Sequence, residues 1–124
     1  MTTDENTPTA LTWDELPAPV ATYLGARPKD DTATALGAFT EDASVTDEGH
    51  TYRGRDKILA WMQRVSTKYS YTTEFTEATR RDESHIDVTQ HLEGDFPGGV
   101  VDLRFRFTLD GTYISRLTIE PCVG

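Results

Sequence analysis

The run from residue 100 to residue 120 constrains the fold more than any other part of the sequence. Apolar and polar side chains alternate through residues 100–109 (VVDLRFRFTL), the period of a strand with one covered face. Asp110-Gly111 follows, a dipeptide that tolerates positive φ at both positions of a hairpin turn. Residues 113–120 (YISRLTIE) then alternate again. The chain is therefore predicted to close on an antiparallel hairpin that needs an apolar layer against one face.

Four further segments are predicted to be extended. Residues 69–79 are rich in aromatic and β-branched side chains, and residues 84–93 alternate with Ile86, Val88 and Leu92 on one face. Two short strands, 43–47 and 51–54, flank a turn at residues 48–50. Residues 94–99 (GDFPGG) have a composition that strongly favours turns, and they separate the long strands.

Three helices are predicted before the long strands. Thr12 and Glu15 have the spacing of a capping box, and Val20, Tyr23 and Leu24 form one apolar helical face. A second helix, capped by Asp30 or Asp31, is predicted to end near residues 40–42. Its buried stripe is predicted to consist of Ala33, Leu36, Phe39 and Ala35. Arg55-Asp56 opens a third helix, whose apolar face is Ile58, Leu59, Trp61, Met62 and Val65. Helices segregated from strands predict an α+β fold, and a twisted sheet covered on one face leaves a concavity.

Length and composition narrow the classes of protein. The 124 residues suit one domain, which we place at residues 13–124 after a flexible tail at residues 1–12. A formal net charge of −9 argues against nucleic-acid binding. No apolar run approaches the roughly 20 residues of a membrane helix, and the polar N-terminus does not resemble a signal peptide, so we expect a cytoplasmic protein. The single cysteine, Cys122, cannot form an internal disulfide.

Three motifs give the chain a family resemblance. Residues 38–47 (AFTEDASVTD), residues 54–58 (GRDKI) and the closing hairpin at residues 107–117 (FTLDGTYISRL) resemble the nuclear transport factor 2-like superfamily over roughly residues 14–121. That superfamily includes ketosteroid isomerase, scytalone dehydratase and the SnoaL-like polyketide cyclases. The resemblance implies a cystatin-like cone, in which three N-terminal helices pack in a strongly curved, mostly antiparallel sheet. It also implies a homodimer formed through the open sheet face.

The resemblance also suggests two catalytic residues. Asp47 matches the aspartate that shuttles the proton in ketosteroid isomerase, and Tyr23 matches the tyrosine that donates to its oxyanion. One position departs from the isomerase pattern, because Leu103 stands where the isomerase has a protonated aspartate. Asp102 is adjacent but is expected to face the other side of the sheet, unless a bulge re-aims it. This departure argues against true steroid isomerase activity.

Eight further residues are predicted to line the pocket, because small-molecule pockets are largely apolar with a few polar groups. They are His50, Trp61, Met62, Tyr69, Phe75, Leu103, Phe105 and Phe107. The aromatic members of this set are also candidates for plain core positions, and His50 for an exposed loop position.

Two polar patterns allow a functional and a structural interpretation. His85, Asp87 and His91 share a strand face, which suggests a metal pair, but first-row metals need three or four converging ligands, so we predict a polar face and no metal. Arg104 and Arg106 share a face with Asp102, and cross-strand ion pairs explain them without an anionic ligand.

Three hypotheses about function follow. The first is a proton-transfer enzyme without a cofactor, an isomerase, cyclase or dehydratase that acts on a small hydrophobic carbonyl compound. The second is a non-catalytic binder of such a molecule. The third is a dimeric interaction module with a filled core and no working pocket.

Overall fold

Three helices and a seven-stranded sheet make up the computed structural model, which describes residues 9–29, 31–68 and 70–122, without the side chains of residues 66–68. The helices are α1 (Ala18–Ala26), α2 (Thr32–Gly37) and α3 (Arg55–Lys68). A 3₁₀ turn precedes α1 at Trp13–Glu15, and another follows it at Arg27–Lys29. Each of the three predicted helices is present.

The strands are β1 (Thr9–Leu11), β2 (Phe39–Asp47), β3 (His50–Arg53), β4 (Tyr71–Asp82), β5 (His85–Gly94), β6 (Val100–Asp110) and β7 (Tyr113–Pro121). Their order in the sheet is β1-β4-β5-β6-β7-β2-β3. All neighbouring pairs are antiparallel except β2 and β7, which run parallel. This is the α+β cone that the sequence predicts.

One face of the sheet and the three helices enclose the core. Alternation puts Ile86 and Val88 of β5, and Phe105 and Phe107 of β6, on that inner face. Val20 and Tyr23 of α1, together with Ile58 and Met62 of α3, pack against it. The strand period of two and the helix period of 3.6 thus converge on one apolar interior.

Capping fixes where α2 begins. The side chain of Asp31 accepts a hydrogen bond from the backbone N–H of Thr34 (3.3 Å), which selects Asp31 from the two predicted caps. The predicted extent of this helix was wrong. It ends at Gly37, Phe39 already belongs to β2, and Ala35 rather than Ala33 is buried. Because α2 has fewer than two helical turns, only a narrow side of it faces the core.

Residues 9–11 form a strand where the sequence predicted a flexible tail, and residues 1–8 of that prediction lie outside the described residues. Thr9–Leu11 pairs with Ala78–Arg80 of β4 as an edge strand, although the sequence predicted a flexible tail as far as residue 12. Three residues show too little alternation to reveal a strand, and the pairing partner lies about 70 residues away in the chain.

The closing hairpin differs from its prediction in register. Asp110 pairs with Tyr113, so the two turn residues are Gly111 and Thr112, and only Gly111 has positive φ (62°). The pairing shifts by one residue between Thr108 and Leu109, a bulge at Ser115. This bulge turns Ile114 inward beside Leu117, which a strict alternation does not allow.

Among the described residues, no helix is both long and apolar enough to cross a membrane.

Candidate functional site

A cavity of about 660 Å³ occupies one end of the cone. This volume is within the range of small-molecule pockets, roughly 300–1,000 Å³. The helical side contributes Tyr23, Leu24, Arg27, Pro28, Trp61, Arg64 and Val65 to the lining. The β2–β3 hairpin contributes Asp47, Glu48, Gly49 and Tyr52, and the remaining sheet and its loops contribute Tyr71, Thr73, Gln90, Leu92, Phe96, Pro97, Val101, Leu103, Phe105, Ile119, Glu120 and Pro121.

Asp47 reaches this cavity from the last position of β2. Glu48 and Gly49 both have positive φ (53° and 79°), as a two-residue hairpin loop of the primed kind requires, so the chain reverses directly after Asp47. Trp61 Nε1 of α3 donates a hydrogen bond to Asp47 Oδ2 (3.0 Å). Burial raises the pKa of Asp47 above its usual value, and the bond from Trp61 partly offsets the rise. A raised pKa makes this carboxylate a stronger base than an exposed aspartate.

Tyr23 lies on the inner face of α1 and is only 2% exposed. Its ring packs edge-on against Phe39 (5.5 Å between centroids) and Phe107 (5.9 Å). Burial raises the pKa of its phenol to about 12, and the charge of Arg27 partly offsets this rise. At neutral pH the hydroxyl is therefore protonated and available as a hydrogen-bond donor.

Two arginines flank a pair of stacked aromatic rings along one wall of the cavity. The Arg27 guanidinium carbon lies 5.6 Å from the Trp61 ring centroid, and Trp61 stacks on Tyr52 at 6.1 Å. Arg64 lies over Tyr52 (5.2 Å) and donates to its hydroxyl oxygen (2.6 Å). A guanidinium group that lies above the face of an aromatic ring is stabilised by a cation–π contact. We call these four residues the cation–aromatic wall.

Sequence reasoning missed most polar groups of the cavity. Gln90 is 6% exposed and is the buried polar residue of the described chain. The signal was present, because Gln90 takes the inward position between Val88 and Leu92 on an alternating strand. Arg27 gave no comparable signal, since a basic residue at the end of a helix usually needs no ligand to explain it.

The predicted lining residues divide into three groups. Trp61, Leu103 and Phe105 line the cavity, as do Asp47 and Tyr23. Tyr69 lies outside the described residues.

The prediction was wrong for the remaining four residues, which do not line the cavity. Met62 and Phe107 are fully packed into the core, because they lie at the filled end of the cone. Phe75 packs edge-on against Trp13 (5.5 Å), which covers it. His50 starts β3 and is exposed, so it does not line the cavity beside Asp47.

Asp102 is not re-aimed into the cavity. The pairing of β5 and β6 runs without interruption from Val100 to Thr108, so no bulge turns the side chain inward. Instead its carboxylate contacts His91 Nδ1 (2.7 Å) on the outer face, where His91 Nε2 also contacts Glu93 (2.9 Å). Hydrogen bonds from these two carboxylates raise the pKa of His91.

The outer face of the sheet carries cross-strand ion pairs. Arg106 lies 3.6 Å from Asp87 and 3.5 Å from Glu120, and Arg104 lies 3.9 Å from Glu120. Cross-strand pairing is thus observed for both arginines, although with partners other than Asp102. His85 contacts Asp82 (2.8 Å), and no group of three or more metal-ligating side chains converges within the described part of the chain.

Comparison with solved structures identifies the family. A candidate polyketide cyclase from Sinorhizobium meliloti is 34% identical and aligns with a TM-score of 0.84, over 89% of this chain and 100% of its own. The chain belongs to the nuclear transport factor 2-like superfamily. Neither models of known protein families nor curated proteins match the chain.

Two more distant members of the superfamily show the same fold. A Catenulispora acidiphila protein with a ketosteroid isomerase-like fold, solved with trimethylamine, is 20% identical, with a TM-score of 0.74 over 84% of this chain and 85% of its own. A Mycobacterium tuberculosis protein, solved with estradiol-17beta-hemisuccinate, is 14% identical, with a TM-score of 0.69 over 82% of this chain and 88% of its own. Both similarities show the fold of this chain.

Proposed function

We propose that this chain is a cofactor-independent enzyme that transfers a proton on a small hydrophobic carbonyl compound, in an isomerase, cyclase or dehydratase reaction. The observation that carries the proposal is a carboxylate, Asp47, held in a largely apolar cavity with its pKa raised by burial. A general base works best when its pKa approaches the operating pH. Burial in the cavity raises the pKa of Asp47, whereas an exposed aspartate would keep its usual low pKa.

Each polar group has a part in the proposed reaction. Asp47 removes a proton from the carbon next to the substrate carbonyl, and the resulting enolate oxygen accepts a hydrogen bond from the Tyr23 hydroxyl. Trp61 fixes one carboxylate oxygen of Asp47 and is a positioning residue. The proton then goes to a different carbon in an isomerase reaction, to the oxygen of the second carbonyl that the enolate carbon attacks in a cyclase reaction, or to a leaving hydroxyl that departs as water in a dehydratase reaction.

Relatives support the type of reaction and substrate. The Sinorhizobium meliloti protein is named a candidate polyketide cyclase. A cyclisation that forms a carbon–carbon bond from an enolate needs a base to remove such a proton. The Mycobacterium tuberculosis protein was solved with estradiol-17beta-hemisuccinate, whose steroid ring system is hydrophobic. Both are consistent with an apolar cavity of this size.

Proton exchange provides a test that needs no knowledge of the natural substrate. We expect wild-type protein to accelerate exchange of the α-protons of 2-tetralone, a flat ketone, into deuterated water, followed by NMR. Asp47→Asn removes the base and should slow this exchange by about 10²- to 10⁴-fold, the usual contribution of a general base. Tyr23→Phe should also slow it, because the enolate loses its donor.

Asp56→Asn is the matched control, since Asp56 is exposed in the first turn of α3. It should exchange at the wild-type rate. An Asp47→Asn protein that folds and exchanges as fast as wild type would contradict the proposal.

A non-catalytic binder is the second candidate. The bond from Trp61 to Asp47 favours it, because it lowers the basicity of the carboxylate. A binder would take up 2-tetralone without accelerating exchange. The third hypothesis, a module with a filled core, is not compatible with the cavity.

We also propose that two copies associate through the outer face of the sheet. The alternating charges there, Arg104 and Arg106 beside Asp87 and Glu120, can pair between copies as well as within one. Sedimentation velocity should show a dimer that dissociates as salt rises. A monomer at low salt and high protein concentration would refute this.

A further inference from the structure

The guanidinium of Arg27 is incompletely satisfied inside the cavity. Its Nη1 atom is buried and has no hydrogen-bond partner among the described residues. Arginine keeps its charge at every physiological pH. Because a buried, unpaired donor is costly and rare in native proteins, and because Arg27 lines the cavity, a small rotation of the guanidinium toward a ligand there would give this atom a partner.

Among the described residues, no carboxylate forms an ion pair with Arg27. The ion pairs between described residues lie on the sheet, and none of them includes Arg27. Asp47, which lines the same cavity, accepts from Trp61 instead. Arg27 packs on the face of the Trp61 ring. It also interacts with the Tyr23 phenol, one helical turn earlier, where burial raises the pKa and the charge and hydrogen bonding of Arg27 partly lower it.

We propose that Arg27 forms a carboxylate-binding subsite of the cavity, with the substrate carboxylate accepting from the guanidinium. Arginine donors form strong, directional bonds to carboxylates, which suits recognition of one end of a ligand. The net charge of the chain, −9, disfavours anionic ligands in general, so such a ligand needs this local cation.

The position of Trp61 sets the spacing of the substrate. Its ring face holds Arg27, and its Nε1 edge holds Asp47. The substrate carboxylate and the carbon that loses its proton therefore bind on different sides of the same indole ring. The substrate class is a flat, hydrophobic keto acid; the carbonyl end of this assignment rests on the proposed function, and the carboxylate end does not.

Two nearly isosteric probes isolate the carboxylate. 2-Naphthoate and 2-naphthamide differ in charge but little in shape, and their affinities can be measured by titration calorimetry. Wild-type protein should prefer the naphthoate by about tenfold to a hundredfold, the usual worth of a charge-assisted bond. Arg27→Gln should abolish this preference and leave naphthamide affinity nearly unchanged.

Lys57→Gln is the control for loss of a positive charge, because Lys57 is exposed on α3. It should keep the wild-type preference. Equal affinity of wild-type protein for both probes, or an unchanged preference in Arg27→Gln, would overturn the subsite. If Arg27→Gln does not fold, the side-chain ¹⁵N–¹H signals of Arg27 in wild-type protein decide: naphthoate must shift them clearly further downfield than naphthamide does, and equal shifts would overturn the subsite.

Asp47→Asn separates this inference from the proposed function. It should lose proton exchange with 2-tetralone yet keep, or increase, the preference for naphthoate, because a carboxylate has left the cavity. A protein that prefers naphthoate through Arg27 but exchanges protons without Asp47 would refute the catalytic proposal and leave the subsite standing. If proton exchange requires Asp47 but naphthoate is not preferred through Arg27, only the subsite is refuted.

Discussion

The two ends of the cone are built alike and behave differently. Phe107 and Leu103 both point inward from β6, four residues apart on one face of one strand. Phe107 is 1% exposed and packs against Tyr23 and Phe105, whereas Leu103 is partly exposed and lines the cavity. The same local pattern thus belongs to a filled core at one end and to the wall of a cavity at the other.

The helices account for this difference. At the filled end, Val20, Ile58 and Met62 pack against the inner strand face, and all three are completely buried. At the open end, the groups that face the strands are the long polar side chains of Arg27 and Arg64 and the ring of Trp61. Cavities survive where the facing side chains cannot interdigitate as closely as in a core.

Truncation at the filled end should have the largest effect. Phe107→Ala leaves a void among rings that cannot close up, so we expect a loss of about 3–5 kcal/mol in the free energy of unfolding. Chemical denaturation with a linear extrapolation measures it. A loss below about 1 kcal/mol would mean that this end is not a rigid core.

The matched truncation at the open end should cost much less. Leu103→Ala removes a side chain that already borders a cavity, so little new void forms, and we expect a loss of about 1 kcal/mol. The same denaturation experiment applies. Equal losses for Leu103→Ala and Phe107→Ala would remove the distinction between the two ends.

Asp47→Asn should stabilise the protein, in contrast to both truncations. The folded state raises the pKa of Asp47, so it binds a proton more readily than the unfolded state, and stability falls as pH rises from the unfolded value of 3.8 through the raised folded value. The Asn side chain does not titrate, so the variant does not lose stability in this way. Its free energy of unfolding should exceed that of wild type at neutral pH, and the difference should disappear below pH 3.8. Thermal unfolding across pH measures the difference, and a destabilised variant at neutral pH would contradict it.

His91 on the outer face should show the smallest effect. Its pKa is raised by Asp102 and Glu93, so its contribution is complete below the unfolded value of 6.5 and is lost as pH rises through the raised folded value. Because the group is exposed, stability should change little. NMR titration of the ring should give a pKa above 6.5, and Asp102→Asn should lower it.

Much of the fold was predictable from residues that are close in sequence. The spacing of Val20, Tyr23 and Leu24 predicted α1, and the alternation in β5 and β6 predicted which faces are buried. Asp47 and Tyr23 were predicted by resemblance and lie in one cavity. The strand β1 and the bulge at Ser115 were missed, because each depends on a partner strand.

The sequence by itself determined that there are three helices followed by long strands, and which side of β5 and of β6 faces the interior, since these follow from periods of 3.6 and two along the chain. Only the tertiary structure decided which inward residues are packed and which border the cavity. It also decided that the surroundings of Arg27 and Gln90 are the interior of that cavity. The physical reason is that filling a space depends on side chains from elements far apart in sequence, and no local pattern records their distance.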